Sequence, residues 1–282
     1  MLSILKSADR CSNKKLTKMK KLVILTLFIV SLACKEQVKP KEEQQQKTEQ
    51  IVAFNDFPEE LNTIFETHGG LATWAKQRTL VFDLPKPNAK ETHTIDLISR
   101  KDKITTANYT MGFDGEGVWL LDADKTYKGD PIFYHNLMFY FYAMPFVLAD
   151  DGINYAATEN LEYEGVSYPG IRISYDNGIG VSSKDEYYLH YHPETFKMQW
   201  LGYTVTYRSG EVSDNVKWIR YSDWMDVNGL VLPKAITWYN YEGRTIKEEK
   251  STVTFENILL SKQKKEAAFY QKPDAASYVI KE

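Results

Sequence analysis

The stretch VKWIRYSDWMDVNGLVLPKAITWYNYEGRTIKEEKSTVTF, residues 216–255, decides the fold class. Apolar and polar residues alternate along 216–227, 230–241 and 246–255, the period of a half-buried strand. Asn228-Gly229 and Glu242-Gly243 separate the three runs. Asn-Gly between alternating runs is the strongest short-range hairpin signal, because both turn positions need positive φ. Strands joined this tightly form an antiparallel meander.

The same pattern extends upstream. Residues 187–191 and 198–207 flank the turn His192-Pro193-Glu194-Thr195, and 161–163 and 171–175 lie on either side of Glu164-Gly165. Residues 92–100 and 103–109 read as strands, and Phe113-Asp114-Gly115-Glu116-Gly117-Val118-Trp119-Leu120 reads as a turn feeding another. Two segments break the alternation. Phe57, Leu61, Ile64, Phe65 and His68 recur at helical spacing behind Asp56-Phe57-Pro58-Glu59, which offers an N-cap acid and an early proline; Leu71 and Trp74 continue the apolar face past Gly69-Gly70. Residues 131–148 are apolar nearly all round, so a helix there must be covered on more than one side, and Pro145 breaks it. The charged tail after Leu260 reads as a short helix pinned by Phe269-Tyr270. Together these features predict an α+β domain over 51–282: a curved antiparallel sheet, an unclosed barrel, with helices packed as a lid on its concave face.

The N-terminal region predicts an export signal. Lys20-Lys21, the apolar run 22–30 and Ser31-Leu32-Ala33-Cys34 follow the order of a basic region, an apolar core and a small residue before the cut. The apolar run falls short of the roughly 20 residues that span a bilayer. A Cys directly after the small residue fits lipoprotein processing, with residues 1–33 removed and Cys34 lipidated, although Ser31 stands where Leu is usual. Met19-Lys20-Lys21 is the natural start of such a signal, with residues 1–18 ahead of it. Residues 34–50 hold almost nothing to bury and read as a disordered tether. The expected location is the cell envelope, with the chain anchored in the outer membrane through lipidated Cys34.

Residues 1–33 carry seven of the 35 Lys and Arg and one of the 38 Asp and Glu, so the remainder has a net charge of −9. That argues against nucleic-acid binding, which needs a basic face. Cys11 and Cys34 are the only cysteines, so residues 51–282 contain no disulfide, thiolate metal site or cysteine nucleophile. A monomer stable on its core alone is expected.

Two short motifs carry a resemblance. Phe113-Asp114-Gly115-Glu116-Gly117-Val118-Trp119 is similar to the Asp-Gly-x-x-x-Trp strand of the LolA and LolB lipoprotein-carrier superfamily. Tyr191-His192-Pro193-Glu194-Thr195 is similar to its Asp-Pro-x-Thr hairpin, with His192 in place of Asp. Their order, after an N-terminal helix and around an inserted helical segment, resembles the LolA-like plan. Further stretches resemble a Bacteroidota lipoprotein family of uncharacterised activity: His68-Gly69-Gly70, the run 141–150 and Ser182-Ser183-Lys184-Asp185-Glu186-Tyr187. Lys35 and Glu36 after the Cys are similar to the surface-export signals of that phylum. The resemblance implies fold and envelope location, and no established activity.

Candidate sites follow from chemistry. A bent sheet under a greasy lid encloses space for a lipid or acyl chain, without catalysis, metal or cofactor. The residues expected to line it are Trp119, Phe133, Tyr134, Leu137, Met138, Phe141, Met144 and Phe146, with Tyr140 and Tyr142 suited to the same role. Core packing is the competing reading of that segment. A surface module that stacks sugars on Trp200, Trp218, Trp224 and Trp238 is the main alternative. A third reading, an Asp/His hydrolase, requires His190, His192 and Asp185 to converge, and a metal site would need the two histidines with Asp185 or His135. Otherwise His192 caps a turn. Asp150-Asp151-Gly152 reads as a solvated helix end or paired carboxylates, and His68 as a group that orders its helix end, since no Gly-x-Ser-x-Gly elbow exists for it to serve.

Overall fold

Asn228 and Gly229 both take the positive φ that their turn demands, 57° and 82°. They join Met225–Val227 to Leu230–Leu232, and further out Lys217–Ser222 pairs with Ala235–Glu242. The long hairpin expected from sequence is therefore two ladders in line. Asp223 sits at φ 54° and Pro233 has no N–H to give, so pairing stops between the ladders.

A computed structural model describes residues 57–87, 90–176 and 182–281. The export signal, Cys34 and the tether lie outside the described residues.

The architecture is α+β, with antiparallel, unclosed sheets. The first sheet contains β1 (Thr79–Leu84), β2 (Glu91–Asp96), β3 (Asp102–Thr105), β4 (Thr110–Phe113) and β5 (Val118–Leu121) in sequence order. The second runs β6 (Ile153–Tyr163), β7 (Val166–Tyr175), β8 (Tyr187–Tyr191), β9 (Met198–Tyr203), β10 (Lys217–Ser222) and then the strands after the hairpin, β13 (Ala235–Glu242) and β14 (Thr245–Thr254). Between them β11 (Met225–Val227) and β12 (Leu230–Leu232) make the small hairpin. From β14 the chain passes through buried Phe255 into β15 (Glu256–Ser261), which pairs with β1 and so belongs to the first sheet. The single meander expected from sequence is thus split at both ends, by the lid segment and at Phe255. Arg244, in the turn before β14, donates to the Glu159 carbonyl of β6 at 2.8 Å, so the second sheet bends until its two edges approach without pairing.

Three local expectations are corrected. Helix α1 (Glu59–Thr67) starts after Pro58 with no side-chain cap, and Asp56 lies outside the described residues. The tail after β15 has only a 3-10 turn, Ala267–Phe269, and then β16 (Ser277–Tyr278), which pairs with β5. Buried Tyr270 pins it, while Phe269 stays half-buried under Lys103 and Lys265. The apolar segment forms α3 (Pro131–Tyr134), α4 (Leu137–Tyr142) and a 3-10 turn, Phe146–Ala149, rather than one helix.

One core joins the elements. Leu61, Ile64 and Phe65 of α1, Leu71 and Trp74 of α2 (Leu71–Trp74), Leu80 and Phe82 of β1, Leu189 of β8, Leu201 of β9 and Ile219 of β10 all belong to it. His68 closes α1. It accepts at Nε2 from the Met198 N–H (3.1 Å) and donates from Nδ1 to the Val231 carbonyl (2.9 Å). A carbonyl can only accept and an amide N–H only donate, so the ring is fixed as the neutral Nδ1–H tautomer.

Candidate ligand-binding site

The lid is anchored before it is greasy. Asp130 Oδ1 accepts from the N–H groups of Ile132 and Phe133, which caps α3, and its Oδ2 accepts from Tyr207 (2.8 Å). α4 then points Met138, Phe139, Phe141 and Tyr142 into the core. Tyr142 lies between Phe82 (4.9 Å) and Phe255 (4.4 Å), and Phe141 meets Tyr203 at 5.0 Å. Phe146 stacks on Trp74 at 4.8 Å. Met144 is equally buried. These side chains fill the space under their own stretch of lid, so Met138, Phe141, Met144 and Phe146 serve as core.

The remaining lid residues border open space. A recess of about 190 Å³ lies against α4, lined by Phe133, Leu137, Tyr140, Val147, Ile153 and Tyr187. Asn136, Tyr175 and Ser182 complete its wall, and Asp150, Asp151 and Asp185 add carboxylates. Asp150 pairs with Arg100, and Asp185 accepts from the Thr206 N–H at 2.6 Å. Burial raises the pKa of both acids, against the opposing pull of those partners. A larger recess of about 410 Å³ lies on the other side of Phe133, which lines both. Its walls include Tyr127, Tyr134, Val205, Tyr207, Arg208 and Lys217.

Of the residues expected from sequence, Phe133, Tyr134 and Leu137 border these recesses. Trp119 does not. In β5 it pairs with Gly112, which puts it on the face opposite the lid, and its indole donates to the Tyr270 carbonyl (3.1 Å). Strand alternation decides this: Leu120, one residue on, shares the lid face with Met111. Sequence reasoning missed Ile153, Tyr175 and Tyr187. For Tyr175 and Tyr187 the available signal was the two-residue spacing from the core residues Ile173 and Leu189 on β7 and β8; Ile153, on β6, is set beside Tyr175 by pairing register.

A buried polar cluster ties α3 to the first sheet. Register puts Glu91, His93 and Ile95 on the lid face of β2, with Asp102 beside Ile95. His135 Nδ1–H donates to Asp102 Oδ2 (2.6 Å), and Tyr134 donates to Glu91 Oε2 (2.6 Å). Tyr109 donates to Glu91 Oε1 (2.9 Å), and Lys86 sits 3.2 Å from the same oxygen. Burial raises the Glu91 pKa, but the bonds from His93 and Tyr134 and the Lys86 charge outweigh it and hold the group at about 2. Asp102 is pushed upward by burial, only partly countered by His135. The cluster positions Tyr134 and the lid.

The convergence required of a hydrolase does not occur. His190 faces Tyr168 and Arg244: its Nδ1 donates to the Tyr168 carbonyl (3.0 Å) and its Nε2 faces Arg244 at 3.3 Å. His192 lies just beyond the end of β8, its ring 6.3 Å from that of Tyr168, and neither Asp185 nor His135 joins the two histidines. There it accepts from the Glu194 N–H and caps the turn. Asp185 holds Thr206, and His135 belongs to the Asp102 pair. Asp150 caps the end of the 3-10 turn. Among the described residues no group of three or more His, Cys, Asp or Glu is placed to hold a metal ion.

The tryptophans also part company. Trp200 and Trp218 do lie on the face of the second sheet away from the lid, but both are fully buried in a second cluster with Leu161, Tyr168 and Tyr239. Arg220 covers Trp200 at 5.3 Å and Arg244 covers Trp218 at 5.3 Å. Trp224 and Trp238 pack against the main core. No sugar face remains on Trp200 or Trp218.

No protein-family model matches the chain, and no curated protein does. Solved structures do. A LolA superfamily protein from Nitrosomonas europaea is similar at a TM-score of 0.46 and 10% identity, covering 74% of this chain and 96% of that one. A structure described as an outer-membrane lipoprotein-sorting protein domain, from Vibrio parahaemolyticus, is similar at 0.40 and 8%, covering 74% and 97%. A DUF1329 family protein from Desulfovibrio piger is similar at 0.40 and 10%, covering 71% and 93%.

Proposed function

We propose that this chain is a non-enzymatic envelope lipoprotein, anchored through lipidated Cys34, that holds a lipid or other hydrophobic ligand between its lid and its second sheet. The observation that carries the reading is the recess against α4. Leu137, Val147 and Ile153 offer apolar walls, and Phe133, Tyr140 and Tyr187 offer rings. Its volume of about 190 Å³ is small beside the roughly 300–1,000 Å³ of drug-sized sites. That size suits a single alkyl chain better than a branched or multi-ring molecule. The reading is narrower than a cavity under the whole lid, because residues 138–148 mostly fill the core themselves.

Organic extraction of the full chain purified from its native membrane, followed by mass spectrometry, tests it. A co-purifying amphiphile is expected from the wild-type protein and a depleted one from Leu137→Trp, whose indole occupies the recess. Equal lipid recovery from both proteins, or none from either, removes the reading.

A further inference from the structure

The two recesses differ in charge, and Phe133 is the wall between them. Three carboxylates border the apolar recess, yet two are engaged: Asp150 with Arg100, Asp185 with the Thr206 N–H. The larger recess holds the cations Arg208 and Lys217 together with Ser209, Ser213 and Asn215. Neither cation makes an ion pair among the described residues. Lys281 adds a third positive charge, 4.6 Å from the Tyr207 ring in the same wall. The one carboxylate there, Asp130, spends its oxygens on the α3 cap and on Tyr207. The surroundings are therefore polarised: a basic pocket, whose Lys217 charge is felt by Asp185 without a close ion pair, opens beside an apolar slot whose acids would repel an anion.

We propose that the ligand is a single-chain anionic amphiphile, its alkyl chain along Leu137 in the apolar recess and its acidic head held by Arg208 and Lys217 across Phe133. This rests on the hydrophobic-ligand reading and adds the headgroup. A fatty acid and a lysophospholipid share the chemistry, a carboxylate or phosphate on one chain. Arg208 presents a planar fork of N–H donors suited to two oxygens of such a head, and Lys217 a second charge.

Calorimetric titration of the full chain separates the possibilities. The probes are palmitate, palmitoyl lysophosphatidic acid and monopalmitoylglycerol, each below its micellar concentration. The two acids are expected to bind at least about tenfold more tightly than the neutral ester, the scale of one charge-assisted hydrogen bond. The double variant R208Q/K217Q, altered only at exposed or half-buried positions, is expected to erase that margin while leaving the neutral ester's affinity in place. The ratio between the two acids then tells which head is preferred. Equal binding of acids and ester overturns the headgroup assignment but leaves hydrophobic binding standing. An acid preference that survives in R208Q/K217Q overturns the assignment to these cations. No binding of any probe overturns both readings.

Discussion

His135, in the link between the two lid helices, donates to Asp102 on the first sheet at 2.6 Å, and both side chains are buried. The other carboxylate oxygen of Asp102 has no partner among the described residues. The bond therefore fastens the lid to the sheet and is also the acid's main compensation for burial. His135→Ala strands a buried carboxyl and is expected to cost about 3–5 kcal/mol. A double-mutant cycle with Asp102→Asn checks it by denaturant unfolding. The expected coupling exceeds about 1 kcal/mol, and strict additivity would show the pair to be incidental.

Acid should loosen the fold through its buried histidines. Burial, reinforced by the nearby Lys197 charge and only partly opposed by the Val231 bond, lowers His68 to about 4 from 6.5, and burial also brings His190 to about 4. Between those values the unfolded chain binds protons that the folded chain refuses. Stability present above pH 6.5 is therefore lost as pH falls toward 4, by about 3 kcal/mol per ring at full extent. The raised acids Asp102, Asp150 and Asp185 work in the opposite sense, so a single profile mixes the two effects. The difference in Tm between wild type and His68→Gln isolates one ring, and it should narrow from pH 7 to pH 4.5. A constant difference across that range refutes the assignment.

Core and recess residues of the lid should separate in two measurements. Phe141→Ala empties a filled site and is expected to cost about 3–5 kcal/mol. Leu137→Trp fills open space at a half-buried position, so Tm should hold while bound lipid is lost. A Leu137→Trp protein that unfolds with its lipid content unchanged would place Leu137 in the core instead.

Gly69 and Gly229 face each other across the junction of α1 and the small hairpin, and only one of them is sterically confined. A Cβ on Gly69, at φ +102°, would lie 2.1 Å from the Gly229 carbonyl oxygen. On Gly229, at φ +82°, a Cβ would meet only the Thr73 methyl at 3.9 Å. Gly229→Ala should cost about 1–2 kcal/mol, the left-handed penalty alone. Gly69→Ala should cost clearly more in the same urea titration. Equal losses would mean that the backbone there yields easily.

The turns of the second sheet were legible because each is a local signal, whereas residues 153–160 of β6, with few buried positions to mark a period, were not read as strand. Glu164-Gly165, His192-Pro193 and Asn228-Gly229 mark turns whose φ values are a property of a few neighbouring residues. The greasy segment was legible as a lid for the same kind of reason, its all-round apolarity. What could not be read was which of its side chains would fill the core. Phe133 and Phe141 are chemically identical, yet Phe141 packs on Tyr203, about sixty residues away in sequence, while Phe133 lines both recesses. Trp119 was misplaced for a related reason: alternation tells that neighbours face opposite ways, but not which way is inward. His93 and Asp102 were unremarked because a charged residue in a strand is ordinarily outward, and only the pairing register turned them toward α3.

Local physical chemistry in the chain itself determined the antiparallel class, the turns, the two helical insertions and the expectation of a lipidated Cys34, since each depends on residues close together in sequence. Tertiary structure alone decided where the sheet divides, that Trp200 and Trp218 are sealed under arginines, and that a basic pocket adjoins an apolar slot across Phe133. Those outcomes depend on long-range register and on competition among many apolar side chains for one limited volume, which no local window of residues encodes.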